Sequence, residues 1–182
     1  MHVQVREIKT ARLRLRFWSD ADIDALVPMH ADLEVVRYIG DGTTLDRSSL
    51  ERAVGAWRAH WEEHGFGLWC AELRGTGEVV GFVGLAYPTF LPEVMPAVEV
   101  GWRLRRDVWG RGLATEGGRS ALAFAFDDLG LERVVSITQP ANLASRRVMD
   151  KLGFTLDRRT VHPRLGYPVE VFALDRAAWL DR

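Results

Sequence analysis

One cysteine, Cys70, is all that 182 residues contain, so no disulfide can form within the chain. That scarcity suits a reducing compartment, and the expected location is the cytoplasm. No stretch approaches the ~20 apolar residues of a membrane span, and the N-terminus lacks an apolar signal core. Neither sign of charge prevails: 24 Lys and Arg stand against 25 Asp and Glu, a formal net charge of −1. Such a balance offers nothing to a nucleic acid or another polyanion. The five histidines lack metal-ligand spacing, so no metal is expected. Repeats, low-complexity tracts and linker-like segments are also missing. Residues 1–182 therefore read as a single domain, whose 47% apolar share can build a substantial core.

What is present alternates between strand and helix patterns. Arg12–Phe17 alternates charged and apolar residues, as a half-exposed strand does, with its arginines on a solvated face. Ser19 or Asp20 can cap a helix running to about Ala31, and Asp32–Tyr38 adds another helical turn or two. Leu50, Val54, Trp57 and Trp61 recur at helical spacing, which predicts an amphipathic helix over Asp46–His64, closed by Gly65. Its tryptophans are expected to pack the core. Phe66–Leu73 and Val79–Leu85 read as strands joined by a Gly-rich turn, with Cys70 as a small core residue and not a nucleophile. A proline-bearing loop, Pro88–Pro96, precedes a strand at Val98–Leu104. Beyond it lie a helix over Ala114–Leu129 and a short strand at Val134–Thr138. Next comes a helix over Asn142–Leu152, with Asn142 as N-cap and Gly153 as stop. Strands at Phe154–Thr160 and Val169–Leu174 and a helical turn at Asp175–Leu180 finish the chain. The expected fold is a mixed α/β sheet of about seven mostly antiparallel strands flanked by helices, with one parallel crossover through Ala114–Leu129.

The run Val98–Gly117 carries the most chemistry. Gly110, Gly112 and Ala114 alternate between a strand and a helix start. Small residues let successive N–H groups curl into one concavity, and the helix adds unpaired donors and a positive dipole end. The expectation is an anion site, most often one for phosphate. A dinucleotide fingerprint would need G-x-G-x-x-G early in a βαβ unit, whereas G-R-G-L-A follows several antiparallel-type strands. A Walker loop would need Lys-Ser or Lys-Thr after the glycines, and neither is there. A purely structural turn is the remaining alternative.

Strand, W-G-R-G-L-A-T-E, strand and N-L-A-S-R-R-V-M-D-K-L-G-F, in that order, resemble the acyl-CoA-binding core of the GNAT N-acetyltransferases. With T-A-R-L-R-L-R, G-F-V-G-L and E-V-G-W-R added, the chain looks like the branch that acetylates ribosomal-protein N-termini. The resemblance runs from Thr10 to about Trp179. Trp109 departs from the family's Gln or Arg at the start of the loop motif. That costs little where main-chain N–H groups do the holding.

The resemblance implies acetyl-CoA as co-substrate and direct attack by an acceptor amine, with no acyl-enzyme. It places the pyrophosphate on the main chain of Trp109, Gly110, Arg111, Gly112, Leu113, Ala114 and Thr115. It lays the pantetheine arm along the backbones of Val100, Gly101, Trp102, Arg103 and Leu104. Arg111 either touches phosphate or faces water. Asn142 suffices as a cap, and the resemblance adds contact with the CoA arm. Ser145 is implied to lie near the thioester sulfur, where its hydroxyl can protonate the departing thiolate. Glu99, on the non-core face of its strand, is the candidate base; an ion pair with Arg103 on the same face is the alternative. The acceptor is a protein N-terminus or a small amine (amino acid, polyamine or antibiotic), and a non-catalytic acyl-CoA-binding protein is the rival reading. In this fold the acceptor side is shaped by residues 21–42 and the His162–Pro168 loop. Asp20, Asp22, Asp24, Asp32 and Glu34 either attract a cationic acceptor or are ordinary surface acids. His30, His60 and His64 carry no assigned role, and His162 is expected to be exposed. Edge strands make a homodimer compatible with the pattern.

Overall fold

The computed structural model describes residues 6–181. Its strands are β1 (Ile8–Lys9), β2 (Leu13–Arg16), β3 (Leu68–Leu73), β4 (Val79–Ala86), β5 (Val98–Leu104), β6 (Arg133–Thr138), β7 (Thr155–Val161) and β8 (Pro168–Asp175). They form one eight-stranded sheet in the order β1-β2-β3-β4-β5-β6-β8-β7. The eighth strand is the two-residue β1, too short to show a period of two in the sequence. The helices are α1 (Asp22–Ala31), α2 (Leu33–Val36), α3 (Arg47–His64), α4 (Leu113–Ala123), α5 (Leu143–Leu152) and α6 (Arg176–Leu180). Among the described residues, no helix is long and apolar enough to cross a membrane.

Local signals account for most boundaries. Asp46 caps α3 by accepting the Ser49 N–H at 2.8 Å, and Gly65 ends it in the left-handed region at φ 73°. Asn142 caps α5 in the same way. The helix after the glycine loop departs from expectation, because regular α geometry stops at Ala123 and a π turn occupies Phe124–Asp128. The wider turn buries both Phe124 and Phe126: Phe124 lies 5.3 Å from Trp69, and Phe126 lies 5.7 Å from Trp179. Period-two alternation divides the strands between two cores. Leu13, Leu15, Trp69, Val83, Leu85 and Val100 pack with α4 and α5 on one side. Cys70 and Phe82 pack with Trp18, Leu26, Leu50 and Val54 of the α1–α3 side on the other. Cys70 is fully buried, and burial holds its thiol above the usual range, as suits a packing residue.

Gly81 sits at an irregularity where β4 slips in register against β3. Its φ is +136°, and a Cβ there would lie 2.1 Å from the Arg103 carbonyl oxygen. Neither strand can give way, so Gly81→Ala should destabilise the fold by about 2 kcal/mol or more, read as a lower urea midpoint at unchanged slope.

One seam of the sheet is unlike the others. β5 and β6 run parallel and pair only at Val98↔Val134 and Glu99↔Val135. Beyond that point β5 stays with β4 as far as Leu104, and β6 stays with β8 as far as Thr138. The two strands part, opening a wedge in the middle of the sheet.

Candidate active site

At the apex of the wedge two side chains replace the lost ladder. The Ser136 hydroxyl donates to the Val100 carbonyl at 2.9 Å, and Glu99 Oε1 accepts the Ile137 N–H at 3.3 Å. Burial pushes the Glu99 carboxyl up to about 8, against the opposing pull of that hydrogen bond. Glu99 has no cationic partner among the described residues. The anticipated alternative, a pair with Arg103, does not form. Arg103 instead reaches α1, where its Nη1 lies 2.8 Å from His30 Nε2, while its Cζ stands 5.2 Å from the Phe82 ring centroid.

A cavity of about 450 Å³ opens from the wedge. It brings together Glu99, Gly101, Trp102, Arg103, Asn142 and Ser145, which the sequence had scattered over 47 positions. Asn142 Oδ1 accepts the Ser145 N–H at 3.1 Å, so the cap leaves the Ser145 hydroxyl uncommitted. Several wall residues had not been singled out: Trp57 and Phe82 on the α1–α3 side, and Phe90 and Met149 elsewhere. Tyr38, Ile39, Gly40, His162 and Tyr167 come from the two segments expected on the acceptor side.

His162 needs correction. It is 7% exposed, stacks on Phe90 at 5.6 Å, and its Nδ1 accepts the N–H groups of Arg164 and Leu165. These contacts fold the loop over the ring, which period and composition cannot show. The acids near α1 are drawn off by arginines: Asp20 by Arg58, Asp22 by Arg16, Asp24 by Arg47, Asp32 by Arg106 and Glu34 by Arg37. None of them lines the cavity.

The glycine loop lies at the far end of β5. Gly110 and Gly112 are both left-handed, at φ 73° and 78°. Glu116 is the first residue of the turn whose N–H bonds back, to Gly112 at 3.0 Å. Among the described residues, the N–H groups of Gly110, Arg111, Gly112, Leu113, Ala114 and Thr115 have no protein acceptor. Six uncommitted donors at a helix start suit the four non-bridging oxygens of a diphosphate diester.

The loop is held from outside. Arg12 Nη1 donates to the Arg111 carbonyl at 2.6 Å, and Arg12 Nε meets Glu116 Oε2 at 2.6 Å. Burial works against the Glu116 charge, yet hydrogen bonds from Thr10 and Arg12 keep this carboxyl below its ordinary value. Arg12 is therefore a clamp, not a residue of a merely solvated strand face. Trp109, 44% exposed, ties the loop to β5 by donating from its indole to the Leu104 carbonyl at 2.8 Å. Arg111 offers its carbonyl inward and leaves its side chain exposed. A second cleft beside the loop, lined by Thr115, Arg119 and Lys151 among others, adds two cations that the motif reading passed over. Arg119 stands four residues after Thr115, one helical turn along the same face.

Main-chain groups alternate sides along a strand, which sorts β5. The Val100 carbonyl faces β6, so Trp102 and Leu104 face the open wedge too, while Gly101 and Arg103 turn their main chains to β4. The free edge is thus shorter than the expected five residues. Together the wedge presents a loop of unpaired N–H donors, a strand edge open to an extended arm, and a carboxyl and a hydroxyl lining one cavity.

Known proteins share this fold. The acetyltransferase (GNAT) domain family matches residues 12–155. A 154-residue match at 32% identity joins the chain to the FsC-acetyl coenzyme A-N(2)-transacetylase of Aspergillus fumigatus, covering 81% of this chain and 64% of that one. The crystal structure of an acetyltransferase from Agrobacterium tumefaciens superposes at TM-score 0.79 and 28% identity, over 96% of both chains. RimL, a ribosomal-protein α-N-acetyltransferase solved in complex with coenzyme A, shares the fold at TM-score 0.74 and 16% identity, over 95% and 99% of the two chains. The glycine-loop motif and these matches agree: the chain belongs to the GNAT acetyltransferase family.

Proposed function

We propose that this protein transfers the acetyl group of acetyl-CoA directly to a primary amine, with Glu99 as base and Ser145 as the donor to the leaving thiolate. The observation that carries the reading is the shared cavity: Glu99, Asn142 and Ser145 converge on a wedge whose other end holds six uncommitted N–H donors. Acetyl-CoA supplies an activated thioester. The chain's own residues supply everything else. Main-chain donors from Gly110 to Thr115 hold the diphosphate, with Arg119 and Lys151 close by. The Trp102 edge of β5 orients the arm. Asn142, already anchored to the α5 N-terminus, fixes where that arm turns toward the amine.

Glu99 then takes a proton. An α-amine has a reference pKa of about 7.7–8.0, against about 10.4 for a lysine side chain. A carboxyl raised to about 8 matches the weaker of these bases. Proton transfer between matched groups costs little, and the ammonium of an arriving acceptor itself favours the ionised carboxylate. An N-terminal or comparably weak amine suits this site better than an unperturbed lysine.

Ser145→Ala should lower kcat by about 100-fold while leaving CoA binding unchanged, because the cap uses the Ser145 main chain and not its hydroxyl. Steady-state thiol release alongside CoA titration calorimetry separates the two effects. The same thiol-release assay, run with an amine panel that includes N-terminal peptides, tests the reading as a whole. Thermal stabilisation by CoA without turnover on any amine would leave a binding protein in its place.

A further inference from the structure

Among the described residues, Arg103 is the one charge lining the cavity that the transfer reaction does not use. It stands on β5 four residues beyond Glu99 and lines the same cavity. Arg16, Arg58 and Arg105 each pair with an aspartate or glutamate. No carboxylate among the described residues pairs with Arg103. Among the described residues its one polar side-chain partner is His30, fully buried on α1, and its Nε is buried without an acceptor. His30 cannot neutralise it. Burial and the neighbouring guanidinium hold the imidazole down to about 4, so the ring is uncharged. With His30 Nδ1 only 3.0 Å from the Leu26 carbonyl, the proton sits on Nδ1, and Nε2 accepts from Arg103. Phe82 beneath the guanidinium fixes its plane without cancelling its charge. A buried cation without a counter-ion is costly to keep. The arrangement holds it in place and leaves its remaining donors for something that enters the cavity.

We propose that Arg103 is a specificity-determining residue that binds a carboxylate on the acceptor, so that the preferred substrate is a primary amine carrying an acid group several bonds away. This rests on the reading of Glu99 as the end of the cavity where the amine reacts. Four residues of strand set their Cα atoms roughly 13 Å apart, and the two heads form no ion pair, so an acid several bonds from the amine fits the pair better than one on the same carbon. Aromatic walls from Trp57, Phe82 and Tyr38 suit the intervening chain. A guanidinium gives a carboxylate two parallel hydrogen bonds, which a carboxamide of the same shape cannot equal. His30 acts as a positioning residue, holding the fork at its angle to the cavity.

The test compares acids with their own amides. Two series present the same chemistry from different sources: free dipeptides, whose acid is the C-terminal carboxylate, and short C-terminally amidated peptides with aspartate or asparagine after a neutral N-terminal residue, all of them weakly basic α-amines. In at least one series the wild-type kcat/KM for the acid should exceed that for the amide by about 10-fold or more. Arg103→Met should bring that ratio close to one, with Arg103→Lys in between. His30→Glu, which sets a carboxylate against the guanidinium from within, should lower the ratio while keeping Arg103, and it serves should Arg103→Met fail to fold. A wild-type ratio of one in both series, or a ratio that survives Arg103→Met, overturns the proposal and leaves acetyl transfer intact. Failure of every amine in both series to be acetylated removes the transfer reading, and this inference falls with it.

Discussion

Glu99→Gln should reduce kcat by about 10²- to 10⁴-fold, the range lost when a positioned general base is removed. Glutamine keeps the shape, and its amide oxygen can still accept the Ile137 N–H that Glu99 now takes. The loss therefore reports proton transfer and not a collapsed apex. The pH profile supplies the stronger check. With the carboxyl pushed up to about 8, wild-type kcat/KM should climb as pH rises and level off above that value, and the glutamine variant should lack this limb. A wild-type profile that is flat from pH 6 to 9 would remove Glu99 from the mechanism.

Stability should move in the opposite direction. Glu99 ionises near 4.5 in the unfolded chain and near 8 in the fold, so the folded state binds an extra proton between those values. Below pH 4.5 both states hold the proton and nothing is lost. As pH rises through the window the unfolded state is progressively favoured, and above 8 the penalty is constant. Glu99→Gln carries no such penalty. Its melting temperature should exceed that of the wild type at pH 8.5 and converge with it near pH 4.5. A site that catalyses better by ionising thus folds better by staying neutral.

The second large effect belongs to the loop. Gly112→Val should weaken CoA binding by about 10- to 100-fold with the fold retained. Gly112 sits at φ 78°, in the middle of the six N–H donors, and a β-branched residue resists that conformation by about 1–3 kcal/mol. Space is not the obstacle, because the nearest atom to an added Cβ is the flexible end of Arg12 at 3.5 Å. The loss comes from turning N–H groups away from a common focus, each worth about 1.5 kcal/mol or more toward a charged acceptor. Titration calorimetry with CoA reads it directly, and unaltered affinity in a folded variant would mean that the loop does not hold the diphosphate.

Legibility in the sequence followed the range of the interaction. Strands with one buried face, the Asn142 cap, the helix start near Asp46 and the Gly65 and Gly153 stops are settled within a few residues, and their positions were readable to within one or two. The turn of the glycine loop was readable because small residues at alternate positions mark a main-chain conformation that glycine favours. Side chains whose partners lie far along the chain were not. Arg103 was set against Glu99, its neighbour on one strand face, but it chose His30, 73 residues away on α1. Arg12 looked like a solvated strand residue until α4 brought Glu116 to it from 104 residues off. His162 looked exposed because a proline-flanked loop usually is, and only Phe90 and Tyr167 show otherwise. The π turn at Phe124–Asp128 has the same origin: helical periodicity ran on to Leu129, and two aromatic contacts widened it.

The wedge has a mechanical side as well. Strands β1 to β4 with β5 form one leaf of the sheet, and β6 with β8 and β7 form the other. Among the described residues, two register pairs, the Ser136 hydroxyl and the Glu99 carboxyl are what bond the leaves across the join. Everywhere else neighbouring strands are laced along most of their length. A molecule stretched along the free edge of β5 would supply, in effect, the missing stitches. Without one, the sheet has few bonds along this one line through the middle of the protein.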